Sequence, residues 1–147
     1  MIKILRFFTS ISILIFLAAI LIVYAFLPDP SGLLFGGQGN IIIEISRDTF
    51  FYSALFIFVI IQILYIIFNR TILKQRIESP GGRMSTWIQG MILSVNLFII
   101  LMIIFIGLAN NAVDYSYKSI HLVAYIAPSI VIVWLLTLPF FLFLRKE

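Results

Sequence analysis

With 147 residues, 63% hydrophobic content, 11% charged residues and a formal net charge of +4, the chain departs far from a soluble domain, which is about half apolar and about a quarter charged. Its length holds four spans of ~20 residues with short connections, which excludes soluble enzyme folds. Without cysteine and with His121 as the single histidine, it cannot build a disulfide, a thiolate nucleophile, an iron–sulfur site, a bis-histidine haem or a His-rich metal site within one chain.

Long apolar runs predict spans over residues 7–27, 50–68, 87–109 and 120–144, each able to cross ~30 Å of hydrocarbon at 1.5 Å per residue. Backbone groups must be satisfied inside lipid, so such runs are helical. The expected fold is all-α: an integral membrane four-helix bundle forming one transmembrane domain over residues 1–147. Lys3 and Arg6 precede the first span, a start shared with secretory signals. Its apolar run exceeds a typical signal core and no small-x-small cleavage site follows, so the segment is expected to stay attached.

The first connection, residues 28–49, opens with Pro28-Asp29-Pro30-Ser31-Gly32, which ends the helix. The aliphatic run Ile41-Ile42-Ile43-Glu44-Ile45 is too short to span. It reads as a segment at the membrane–water boundary, or as a dip over a cavity or neighbouring subunit, tolerated only where protein surrounds it. Ser46 or Asp48 is the expected N-cap of span two. After span two, residues 70–78 continue as a helix carrying Arg70, Lys74 and Arg76 within reach of lipid headgroups, each attracted by about 1 kcal/mol. Pro80-Gly81-Gly82 stops that helix, Arg83 follows as a fourth headgroup contact, and Ser85 or Thr86 is expected to cap span three. The loop over residues 110–119 bears Tyr115 and Tyr117; with Tyr24 and Trp87 they read as an aromatic belt at headgroup level.

Charge segregates between the loops. Lys3, Arg6, Arg70, Lys74, Arg76, Arg83, Arg145 and Lys146 fall on one side, and only Arg47 and Lys118 on the other. Short basic loops stay inside, so both termini are expected in the cytoplasm (N-in/C-in). The cytoplasmic side then sums to +6 and the outer side to −2. The positive charge is thus a topology signal, and nucleic acid is not an expected partner.

No ionisable residue sits near the middle of a span, which weakens ion coupling, proton relays and charged-substrate sites. What remains is neutral: Gln62 in span two and Gln89, Ser94 and Asn96 in span three. At 100° per residue, Ser85, Gln89, Asn96, Gly107 and Asn110 form a polar and small-residue stripe. Gln62, Tyr65 and Asn69 share a face of the antiparallel helix. Gln62 and Asn96 differ in depth by only about 4–5 Å and can hydrogen-bond across the pair, a contact that contributes about 0.6–2 kcal/mol to helix association. The stripe either locks helices two and three or lines a polar path.

In span four, His121 shares a face with Tyr125, Pro128 and Pro139 and reads as a polar anchor. Pro128 and Pro139 are expected to bend the helix. Trp134 lies deeper than Trp prefers, which implies cover by protein, from the bundle or a partner, and a partner for its indole N–H. Trp134, Pro128 and Pro139 are therefore candidate partner-facing residues. No catalytic motif is present, so neither enzyme activity nor a cofactor is expected.

Two functions follow as expectations. One is a non-catalytic accessory, scaffold or assembly subunit of a larger complex, with other integral membrane subunits as partners. The other is a small homo-oligomeric channel or carrier whose helix-three polar residues line the path. With no transit peptide ahead of span one, the expected location is a bacterial inner membrane.

Overall fold

The computed structural model describes residues 2–74, 83–111 and 117–139. Four helices, α1 (Ile2–Phe26), α2 (Arg47–Lys74), α3 (Arg83–Asn110) and α4 (Tyr117–Leu136), are joined between α1 and α2 by a hairpin of β1 (Ser31–Phe35) and β2 (Ile41–Ile45). Three helices are long and apolar enough to cross a membrane, over Lys3–Phe26, Arg47–Thr71 and Ser85–Asn110, and α4 contributes a shorter apolar stretch, Ile120–Leu136. The chain is therefore a mostly helical membrane protein. Residues 140–144, the C-terminal end of the span expected over residues 120–144, fall outside the described residues, as do Arg76, Tyr115, Arg145 and Lys146.

α3 is the centre of the bundle. It packs most extensively on α1 and α4, whereas α2 touches α1 and α3 along a narrow face. Only 11% of the α2 span is buried, against 33% for α1 and 39% for α3. Phe16, Ile20 and Val23 of α1, with Leu27 just past its end, meet Ile100, Ile103 and Ile106 of α3 in the core, which Phe50 and Phe58 of α2 and Ile120 of α4 complete. The Phe16 and Phe58 rings stack with centroids 3.7 Å apart. At Gly107 an added Cβ would come within 2.9 Å of the Val23 side chain, so the glycine sets the close approach of α1 to α3.

The helices overrun the apolar runs: α2 extends from Arg47 to Lys74 and α3 from Arg83 to Asn110. Consequently Ser85 and Thr86 lie inside the first turns of α3 rather than capping it, since that helix begins at Arg83. Ser46 does cap α2: its hydroxyl accepts the Thr49 N–H at 3.2 Å and pairs with the Thr49 hydroxyl at 2.7 Å. α4 keeps Pro128 inside and ends at Leu136, where Thr137 N–H turns back to the Trp134 carbonyl at 3.1 Å. Pro139 therefore lies past the end of α4, consistent with its missing N–H.

The connection between α1 and α2 is a hairpin, a structure that the sequence reading leaves unassigned. Residues 41–45 form a strand antiparallel to β1, pairing Ser31 with Ile45 and Gly32 with Glu44. A β-branched run beside a glycine-rich turn favours this pairing. Gly36 N–H donates to Asn40 O at 2.8 Å, Gly39 N–H donates to Gly36 O at 2.9 Å, and Gly39 takes φ 84°, which a residue with a Cβ rarely adopts.

Candidate functional site

The polar residues of α3 meet α1 on one side and α2 on the other, in two rungs. In the first, Gln89 Nε2 donates to Thr9 Oγ1 at 2.9 Å, and Tyr65 OH donates to Gln89 Oε1. In the second, Asn96 Nδ2 donates to Ser12 Oγ at 2.8 Å, and Gln62 Nε2 donates to Asn96 Oδ1 at 2.7 Å. Gln89 and Asn96 are two helical turns apart and so share a face. On antiparallel α2, Gln62 and Tyr65 are one turn apart in the opposite order.

Proton direction is forced from the α1 side. Thr9 Oγ1 donates to Leu5 O at 2.9 Å and Ser12 Oγ to Thr9 O at 2.7 Å. Each hydroxyl has spent its proton and can only accept. Both α3 amides must therefore turn their NH2 toward α1 and their carbonyl toward α2, where Gln62 and Tyr65 supply donors. Thr9, Ser12, Gln89 and Asn96 are all at least nine-tenths buried, and Asn96 has no exposed surface. A carboxamide neither gains nor loses a proton at ordinary pH, so the amide bonds of both rungs join neutral groups across the helices. At about 0.6 kcal/mol per interhelical hydrogen bond, with maxima near 1.7, the four bonds stabilise the three-helix unit by roughly 2–4 kcal/mol.

Thr9 and Ser12 were not among the residues picked out from sequence. Their signal is present: of the three hydroxyls at residues 9, 10 and 12, Thr9 and Ser12 stand at i and i+3 on the face carrying Phe16, while Ser10 is exposed. Hydroxyls can be satisfied by their own helix carbonyls, which hides their role as acceptors for amides elsewhere.

The remaining members of the α3 stripe also point inward. Ser85 is buried and its hydroxyl has no hydrogen-bond partner. Asn110 acts as a surrogate strand: its Oδ1 accepts Gly32 N–H at 2.6 Å, while its Nδ2 donates to Gly32 O and Ile106 O, each at 2.8 Å. That pairing, with Phe35 edge-on to Phe105 at 6.0 Å, seats the hairpin on the end of α3. Ser94 Oγ donates to Gly90 O at 3.0 Å within α3.

Trp134 is covered by the chain's own α3. Its indole N–H donates to Trp87 O at 3.0 Å, and the Trp87 indole donates to Thr137 Oγ1 at 3.1 Å. Gly90 makes the contact possible, since a Cβ there would lie 2.0 Å from the Trp134 ring. Trp87, expected in the aromatic belt, is thus a buried partner of α4, with 8% of its surface exposed. Pro128 is half-buried and Pro139 exposed.

At the hairpin end, Tyr24 OH donates to Asp48 Oδ1 at 2.8 Å, and the Arg47 guanidinium lies 4.8 Å from the Tyr24 ring centre. His121 meets Tyr125 edge-on at 5.1 Å. Arg70 is exposed on α2, Lys74 ends α2 and Arg83 begins α3. Grooves open on the bundle surface among the described residues. One, of about 590 Å³, lies between α1 and α3 beside Ala18, Ala19 and Gly107. A smaller one of about 210 Å³ lies between α2 and α3 beside Ile61, Tyr65 and Trp87. Among the described residues no group of three metal-ligating side chains comes together. Comparison with known protein families, curated proteins and solved structures finds no match.

Proposed function

We propose that the chain is a non-catalytic accessory, scaffold or assembly subunit of a larger complex in a bacterial inner membrane, with both termini in the cytoplasm and no cofactor. One observation carries this reading: the Gln89 and Asn96 amides of α3 each turn both NH2 and carbonyl to partners inside the chain, on Thr9, Ser12, Gln62 and Tyr65. Polar residues used this way hold helices together. A channel in which Gln89 and Asn96 line a shared path requires them to turn outward, breaking four interhelical bonds. The surface left to a neighbour is the apolar exterior of α2 and α4, where Phe56, Ile63, Ile126 and Val133 are each at least half exposed. The basic residues of the sequence between spans two and three, Arg70, Lys74, Arg76 and Arg83, suit contact with anionic lipid headgroups.

Purification from native membranes in mild detergent tests the proposal. Other integral membrane proteins are expected to co-purify in fixed ratio. Recovery of the chain alone, stable and without a different partner, counts against it. Replacing Gln62 and Asn96 together with Leu separates packing from transport: intact assembly with a lost activity would sink the packing account.

A further inference from the structure

We propose that Arg47, Tyr24, Asp29 and Asp48 form a receptor for the zwitterionic headgroup of an aminophospholipid, with its phosphate on the Arg47 guanidinium and its primary ammonium on the two carboxylates. The site is built around an arginine without a counter-ion. The Arg47 guanidinium lies 4.8 Å from the Tyr24 ring centre, and among the described residues it makes no ion pair or hydrogen bond; its Nε is buried without a partner. Unpaired donors of this kind are uncommon in a folded chain and call for a partner outside it. Arg47 as a whole is half-buried, and Nε is the one guanidinium nitrogen that is both buried and unpartnered. The two terminal NH2 groups therefore remain accessible. A guanidinium held on an aromatic face keeps its planar fork free for a phosphate.

The carboxylates that would neutralise this arginine are held elsewhere. Asp48 Oδ1 accepts the Tyr24 hydroxyl at 2.8 Å, and Asp29 Oδ1 accepts the backbone N–H of Arg47 at 3.3 Å. Both side chains are exposed, and Oδ2 of each has no hydrogen bond among the described residues. The Tyr24 ring that carries the guanidinium is itself fixed, by its hydroxyl bond to Asp48 and by the Phe51 ring with centroids 4.8 Å apart. Positive and negative groups are thus preset side by side without cancelling each other. The start of α2 is not the receptor, because Asp29 and Ser46 already take the N–H groups of Arg47, Thr49 and Phe50.

Charge selects the ligand. An anionic headgroup gains the guanidinium but meets two carboxylates, and a bare cation gains the carboxylates but meets the guanidinium. A headgroup with one charge of each sign satisfies both. A primary ammonium gives charge-assisted N–H bonds to carboxylates. A choline group has no N–H to give, and the Tyr24 ring face that would attract it is occupied by Arg47. Position selects a lipid over a soluble zwitterion: Arg47 is the first residue of the apolar span Arg47–Thr71, and Tyr24 stands two residues from the end of Lys3–Phe26. Span ends lie at headgroup level. The site does not rest on the supporting role proposed above, since its readout is a bound lipid and not a protein partner.

Native mass spectrometry of the full chain in detergent, titrated with phosphatidylethanolamine, phosphatidylcholine or phosphatidylglycerol of identical acyl chains, tests the site, with helicity followed in parallel. Phosphatidylethanolamine is expected to bind about tenfold more tightly than either of the others. Arg47→Gln keeps the backbone N–H to Asp29 and is expected to weaken phosphatidylethanolamine about tenfold at unchanged helicity. Asp48→Asn keeps an acceptor for the Tyr24 hydroxyl and is expected to weaken phosphatidylethanolamine while strengthening phosphatidylglycerol, a gain that a misfolded chain would not show. Equal binding of the three lipids, a native preference for phosphatidylglycerol or phosphatidylcholine, Arg47→Gln binding phosphatidylethanolamine as the native chain does, or no rise in phosphatidylglycerol with Asp48→Asn would each overturn the proposal. Soluble phosphoethanolamine binding as tightly as the lipid would overturn its assignment to a lipid.

Discussion

Replacing Asn96 with Leu removes two interhelical bonds, to Ser12 and from Gln62. At about 0.6 kcal/mol each, with maxima near 1.7, the expected loss is roughly 1–3 kcal/mol. Gln62→Leu removes one bond but strands the Asn96 carbonyl at a site with no exposed surface, which costs about 1–3 kcal/mol. In the double variant that penalty disappears, since no acceptor is left waiting and Ser12 keeps its bond to Thr9 O. The double variant is therefore expected to cost less than the sum of the singles by about 0.5–1.5 kcal/mol. Unfolding free energies in mixed micelles, followed by helicity across a denaturing-detergent titration, give the four corners of the cycle. Additivity within ~0.3 kcal/mol would refute the reasoning, because it would mean that Gln62 and Asn96 do not depend on each other.

Gly90→Ala drives a methyl group into the Trp134 ring and is expected to cost about 1–3 kcal/mol as overpacking; tryptophan emission should shift, and Trp134→Leu should restore much of the stability. Asn110→Ala frees Gly32 from α3, so amide exchange at Gly32 should accelerate by about tenfold or more while exchange in α3 stays slow. Ser46→Ala removes the cap on α2 and should destabilise by about 1 kcal/mol, with fraying near Thr49 seen as faster amide exchange. Tyr65→Phe deletes one donor to Gln89 and should cost about 0.6–2 kcal/mol in the same micelle titration.

The helices are legible in sequence because an aliphatic run of ~20 residues has few alternatives in lipid, and the Gln62–Asn96 contact is legible because two amides at matched depth have few other partners. What the sequence hides is short-range polar chemistry. Thr9 and Ser12 resemble ordinary helix hydroxyls until an amide from α3 is placed beside them. Asn110 shares the angle of the α3 stripe, yet its partner is the backbone of Gly32, which side-chain patterning does not register. The run Ile41–Ile45 is too short and too uniformly aliphatic, Glu44 apart, for alternation to announce a strand; the glycine cluster at residues 36–39 is the turn signal that marks a hairpin. Trp87 fits an aromatic belt by depth, and only Gly90 and Trp134, one turn and one helix away, make it a buried contact.

The central claim is that the α3 amides bind helices and do not line a path, and flux across vesicles tests it most directly. Purified chain is reconstituted into liposomes, insertion is verified, and the passage of water, potassium, chloride and glycerol is followed for the native protein and the Gln62→Leu/Asn96→Leu variant. The account predicts vesicles as tight as protein-free ones in both cases. Flux through the native chain that disappears in the variant, at unchanged insertion and assembly, would contradict it.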